Sequence, residues 1–198
     1  MGIIIWLEEQ WPKSTIFLAL YGALFLLLFA ADEGAALLLL WLQLPVYWLH
    51  QFEEYVYPGG FVAVFNTQML GSSRTDWPLT KRESLWINLP LIYVAFPLAA
   101  ILAGSAGLAW GLWIAYFSVL NALSHVGMAF RLGYNPGLVV SLLLNIPVGA
   151  FTIWYFATND LVSGSTHLVS LLVSLAVQGG LMVWGLKYLR ARAAAERK

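Results

Sequence analysis

A chain of 198 residues that is 61% hydrophobic and only 10% charged cannot cover its surface in water, where soluble domains carry about 25% charged residues. Ten Lys and Arg against ten Asp and Glu leave no net charge, which excludes a nucleic-acid binder working by counterion release. The absence of cysteine excludes disulfides, thiolate metal sites and cysteine nucleophiles, so any chemistry falls to three histidines, the carboxylates, and the amides and hydroxyls.

A helix needs about 20 apolar residues to cross the hydrocarbon. Six segments qualify, at residues 14–31, 34–57, 84–103, 108–130, 136–157 and 165–188, and they predict a single all-α integral membrane domain over residues 1–198. Before the first span, Ile3-Ile4-Ile5-Trp6-Leu7 has the composition of an interfacial anchor. Glu8 and Glu9 against a single Lys13 do not make the positive cluster of a cleavable signal. Asp32-Glu33-Gly34 leads into the second span, whose helix N-terminus suits the two acids. The long connection opens with Pro58-Gly59-Gly60-Phe61, a helix stop that could also serve as a lid. Its apolar piece at 61–70 is too short to cross and reads as re-entrant or interfacial. It closes with Thr80-Lys81-Arg82-Glu83, a capping box opening the third span. The remaining dividers are short and rich in Gly, Asn and Asp, as turns between antiparallel neighbours require. Pro45, Pro90, Pro97 and Pro147 predict kinks, and Gly179, Gly180 and Gly185 predict close helix packing.

Lys13, Arg74, Lys81, Arg82, Arg131, Lys187, Arg190, Arg192, Arg197 and Lys198 all fall on one face of this topology. The opposite connections hold only Asp32, Glu33 and Asp160. The positive-inside rule therefore predicts an inner, cytoplasmic-membrane protein with both termini in the cytoplasm.

Ionisable residues inside a span are costly and point to function. The second span ends His50-Gln51-Phe52-Glu53-Glu54-Tyr55, and positions i, i+3 and i+4 put one imidazole and two carboxylates on one helical face, below Tyr47. Ser118, Asn121 and His125 share a face of the fourth span. Asn88 lies early in the third span, and Ser141 and Asn145 early in the fifth. At 1.5 Å per residue, His50 and His125 lie about 10 Å and about 9 Å from the cytoplasmic ends, with Asn121 and Asn145 at about 14 Å and about 13 Å. Four helices thus deliver their polar residues to one slab of the membrane, which His167, entering from the other face, does not reach.

The run His50-x-x-Glu53-Glu54 on a membrane helix resembles the signature of the HXXEE family of small multi-spanning bacterial proteins. Asn121-x-x-x-His125 followed by Gly133-Tyr134-Asn135-Pro136-Gly137 is similar to the same family, and the resemblance spans roughly residues 40 to 150. It implies an integral membrane protein with a His/Glu site, and no settled activity.

Two imidazoles with one or two carboxylates and no sulfur suit a divalent Zn, Mn or Fe ion with one position open for water. On this reading His50, Glu53, Glu54 and His125 are the metal ligands, supported from behind by Asn88, Asn145 and Tyr47. Glu53, Glu54, His125 and Asn121 are the catalytic candidates of a hydrolase-like enzyme acting on a membrane lipid or other lipophilic molecule. A metal-free reading makes a desolvated glutamate and His125 the acid and base of an isomerase or hydrolase of isoprenoid or acyl lipids, with asparagines as oxyanion donors. Paired glutamates with His and Asn on facing helices are similar in kind to the intramembrane CAAX proteases. However, Pro58 stands where their arginine follows, and Asn121 precedes His125. Ion- or proton-coupled transport through the same carboxylates is a further reading.

Overall fold

The computed structural model describes residues 2–30 and 34–195. Asp32 and Glu33, the expected acids before the second span, lie outside the described residues, as do Arg197 and Lys198. Six helices are long and apolar enough to cross a membrane: α1 (Ile3–Leu28), α2 (Ala35–Tyr55), α4 (Lys81–Ser105), α5 (Leu108–Leu132), α6 (Leu138–Thr158) and α7 (Gly164–Ala195). Between α2 and α4 lies the short helix α3, an α turn at Phe61–Val64 continued by a π turn at Phe65–Met69. The apolar piece of the long connection is therefore helical. The described residues contain no strand.

The first helix begins well before residue 14. Ile3-Ile4-Ile5-Trp6-Leu7 forms its opening stretch. This lengthening puts Glu8 and Glu9 beside the start of α4, where Arg82 Nε stands 2.6 Å from Glu8 and Lys81 Nζ 3.7 Å from Glu9. The expected capping box is present. The Thr80 hydroxyl accepts the Glu83 backbone N–H, while the Glu83 carboxylate accepts from the Thr80 backbone. Arg192 of α7 reaches the same Glu83 at 3.2 Å. The starts of α1 and α4 and the end of α7 thus meet at one end of the bundle.

The interior of the bundle is unusually polar and its exterior apolar. Gln43, His50, Gln51, Ser118, Asn135 and Asn145 are fully buried, whereas Phe17, Leu20, Leu27, Leu143 and Leu172 are exposed. Water would reward the opposite arrangement, so the surface fits a lipid solvent. Tyr47 of α2, Phe96 of α4, Phe117 of α5 and Phe156 of α6 fill the apolar core. Phe96 meets Tyr47 and Phe117 edge-on, with ring centroids 5.2 and 5.8 Å apart.

Proline acts as a source of π turns. A proline ring crowds the carbonyl four residues earlier and offers that carbonyl no N–H. Pro97 and Pro147 accordingly follow the π turns Leu89–Ala95 and Ser141–Asn145, whereas Pro45 sits within the uninterrupted α-helix α2. The expected glycine packing is redistributed. Gly179 and Gly180 face open space, while at Gly149 a Cβ would stand 2.6 Å from the Val119 side chain and 3.1 Å from the Ala115 carbonyl. The close approach is therefore α6 on α5. Gly185 does pack closely, 3.2 Å from the Phe65 ring.

Candidate functional site

His50 and Glu54 stand one turn apart near the end of α2, and His125 faces them from α5. The three are 0, 6 and 2% exposed, respectively. Glu54 Oε1 lies 3.3 Å from His125 Nε2 and 3.6 Å from His50 Nε2. One potential ligand atom from each residue falls within 4.8 Å of the others. The two imidazoles meet edge-on at 4.7 Å between centroids. Tyr47 tilts against His50 at 5.3 Å and Phe61 against His125 at 5.7 Å.

The partners of Asn135 place a proton on His125 Nδ1. Asn135 Nδ2 donates to the His125 backbone carbonyl at 3.0 Å, and a carbonyl can only accept. The orientation of the Asn135 amide is thereby set, and its Oδ1, 2.8 Å from His125 Nδ1, must accept a proton from that nitrogen. A neutral imidazole carries one N–H, so in that form His125 leaves its Nε2 electron pair free for a cation beside the Glu54 carboxylate. His50 Nδ1 pairs with the Ser141 hydroxyl at 3.3 Å, and its buried Nε2 has no hydrogen-bond partner. The His125 Nε2, the Glu54 carboxylate and the unpartnered His50 Nε2 converge in a buried site, where a metal ion or a proton held among them offsets the carboxylate's charge. Two ligand atoms bound tetrahedrally at about 2.1 Å are about 3.4 Å apart, close to the 3.3 and 3.6 Å edges seen here.

Glu53 plays a different part from the expected ligand or catalytic group. Its carboxylate turns to the start of α6 and accepts the backbone N–H groups of Val139 at 3.1 Å and Val140 at 2.7 Å, together with the Tyr134 hydroxyl at 3.0 Å. The N-cap residue of α6 is Gly137, which has no side chain to offer. Glu53 supplies the missing cap from another helix, where a negative charge suits the helix dipole. Partial burial and, next, the bond to Glu53 push the Tyr134 hydroxyl up to about 12.

The supporting residues also sort differently from expectation. Tyr47 touches His50. Asn88 instead ties α4 to α2, accepting from Gln51 Nε2 at 2.8 Å and donating to the Tyr55 hydroxyl at 3.2 Å. Asn145 donates to Ser118 Oγ at 3.0 Å, joining α6 to α5. Neither hydrogen-bonds the histidines, because their helices already need them as crosslinks. Asn121 lies a turn from His125 with its amide oxygen buried and unpartnered among the described residues. His167 pairs with Tyr116 at 2.9 Å, apart from the group. The residues that hold the imidazoles are Asn135 and Ser141. The polar Ser141 was visible in the sequence, but Asn135 reads as ordinary turn material.

Gly137 closes the site from the side of α6. A Cβ there would stand 2.8 Å from Cε1 of both His50 and His125 and 3.0 Å from Glu54 Cγ, and its φ of +98° is itself a glycine conformation. On the other side Glu54 and His125 border a half-open cavity of about 160 Å³ with largely apolar walls. Glu54 also forms the inner end of a wider cleft of about 570 Å³, at whose mouth stand Glu8, Glu9 and Asp76.

No curated protein and no solved structure matches this chain. Residues 41–152 match the family described as proteins of unknown function with the HXXEE motif. The match takes in His50, Glu54, His125, Asn135, Gly137 and Ser141, and leaves out α1 and α7. A family match over more than half of the chain, with the motif's histidine and second glutamate at the centre of the buried group, makes the protein a member of the HXXEE-motif family.

Proposed function

We propose that this is an integral protein of the cytoplasmic membrane in which His50, Glu54 and His125 hold a divalent Zn, Mn or Fe ion, forming a hydrolase-like enzyme for a lipophilic substrate. The observation that carries the reading is the convergence of two imidazoles and a carboxylate on one buried point, with His125 Nδ1 held by Asn135 and its Nε2 turned to Glu54. Two imidazoles and a carboxylate are the ligand set of a class of catalytic zinc sites that keep a position open for water. A bound ion supplies Lewis acidity and an acidified water. The protein's own contribution is to orient both rings through Asn135 and Ser141 and to bury them. The apolar walls of the cavity beside Glu54 and His125 support a lipophilic substrate. The one-sided distribution of cations supports cytoplasmic termini, with α3 as a re-entrant or interfacial piece. Because the chain lacks cysteine, labelling of Ser73→Cys and Thr158→Cys variants in oriented vesicles tests this topology directly, with Ser73→Cys reactive from the cytoplasmic side.

Elemental analysis of protein purified without chelators tests the metal. Stoichiometric metal in the wild type, lost in His125→Ala and Glu54→Gln, is the expected result. A metal-free wild type overturns the reading. It would favour acid–base catalysis instead, because the 3.3 Å between Glu54 Oε1 and His125 Nε2 equally suits a shared proton. Glu54-dependent proton or ion flux in reconstituted vesicles would favour transport.

A further inference from the structure

The cavity beside Glu54 and His125 is small for a lipophilic substrate. Its volume of about 160 Å³ falls short of the roughly 300–1,000 Å³ of pockets that enclose a whole drug-sized ligand, so a long molecule reacting there must extend beyond it. Two larger hollows adjoin the cavity. One is the cleft of about 570 Å³, which shares Glu54, Tyr55, Phe61 and Ser84 with it and opens among the charged Glu8, Glu9, Asp76 and Lys81. Those charges need water, which an alkyl chain would displace. The other is a groove of about 650 Å³ between α4 and α7. It shares Ile87, Leu91, Leu181 and Trp184 with the cavity, so these four half-buried side chains stand between the two. Its charged lining residues, Arg82 and Glu83, stand together at one end. From Arg82 to Ala95 it follows about 20 Å of helix, roughly two thirds of the hydrocarbon thickness. Trp86, which lines it, and the neighbouring Val94 and Val183 are exposed, so the groove opens on the apolar exterior of the bundle.

The backbone is open along the same seam. α7 packs along α5, and among the described residues no comparable packing joins it to α4. Arg192 of α7 meets Glu83 of α4 at 3.2 Å, at the charged end of the groove. Both helices carry π turns at the shared wall, Leu89–Ala95 in α4 and Trp184–Leu189 in α7. Such turns interrupt the regular hydrogen-bond ladder and gather at functional sites.

We propose that the seam between α4 and α7 is a lateral portal, through which a long-chain membrane lipid places its reacting end in the cavity while its alkyl chain lies in the groove. The inference rests on the proposed reading of the cavity as the substrate site. It adds the substrate class, a long-chain lipid and not a compact lipophile, and the route, from the bilayer and not from the charged cleft.

The chain has no cysteine, so a single Ser124→Cys in the cavity wall reports entry. The probe is N-hexadecylmaleimide added to phosphatidylcholine vesicles that hold the protein, with labelling read by mass spectrometry. Ser124→Cys should be labelled. Adding Ile87→Trp or Leu181→Trp, which fill the seam, should slow labelling by about tenfold, the scale of an overpacked wall. Helicity and elution volume confirm the fold of each variant. Val62→Trp, on the wall of the charged cleft alone, should label like the parent. Unchanged rates in both seam variants overturn the portal, as does a Ser124→Cys protein that reacts with N-ethylmaleimide but not with the hexadecyl reagent. Slowing by Val62→Trp alone overturns it too, because entry then runs from the water side. Labelling requires neither metal nor turnover, so a portal that stands in protein found to bind no metal survives while the metal reading fails.

Discussion

Replacing Gly137 by alanine adds one methyl group at the point where α6 meets the His/Glu group. Its Cβ would stand 2.8 Å from a carbon of each imidazole and 3.0 Å from Glu54 Cγ, against an ordinary contact of about 3.5–4.0 Å. All three side chains must give way, and each is already tied by Asn135, Ser141 or the helix that carries it. Backbone strain adds to the clash, because a left-handed conformation costs a non-glycine residue about 1–2 kcal/mol. Gly60 separates the two effects. Its φ of 91° and ψ of 5° nearly repeat the 98° and −13° of Gly137, but nothing lies within 4 Å of its Cβ position. Gly60→Ala should therefore cost about 1–2 kcal/mol, and Gly137→Ala about 1–3 kcal/mol more from overpacking. Unfolding in mixed micelles measures both costs. Metal titration should show Gly137→Ala weakened by at least about tenfold, with Gly60→Ala near wild type. Equal destabilisation of the two variants, with metal affinity retained in both, would refute the packing argument.

The adjacent glutamates should behave differently. Glu53→Gln weakens the cap of α6 and should lower stability by about 1 kcal/mol while keeping the metal stoichiometry, whereas Glu54→Gln should lose the metal. The reverse pattern in elemental analysis and melting would assign the roles the other way round. Asn135→Leu removes the acceptor for His125 Nδ1 and should weaken metal binding by about 10–100-fold, as seen when a partner behind a ligand histidine is lost. Unchanged affinity in a competitive titration would show that the proton placement on His125 does not matter.

The identity of the motif glutamate shows where helical periodicity stops being informative. At 100° per residue, Glu53 and Glu54 lie on either side of His50 around the axis of α2, at about −60° and about +40°. Both positions satisfy the i, i+3 and i+4 pattern, so spacing alone makes them equivalent. What separates them is the neighbour on each side. The start of α6, with its uncapped N–H groups, faces Glu53, and His125 faces Glu54. Asn88 and Asn145 follow the same logic, being polar groups within long apolar helices whose purpose depends on which helix lies opposite.

The sequence by itself determined that the chain is all-helical, with six segments long and apolar enough to span a membrane and a capping box at Thr80. It also brought His50, Glu54 and His125 to one level, because hydropathy and 3.6-residue periodicity are local properties of the chain. Only the tertiary structure decided that Glu53 caps α6, that Asn135 commits the His125 proton, and that Gly137 leaves room for both rings. Each of these is a contact between segments distant along the chain or approaching across a turn. Its meaning depends on a distance of 3 or 4 Å that no pattern along one helix encodes.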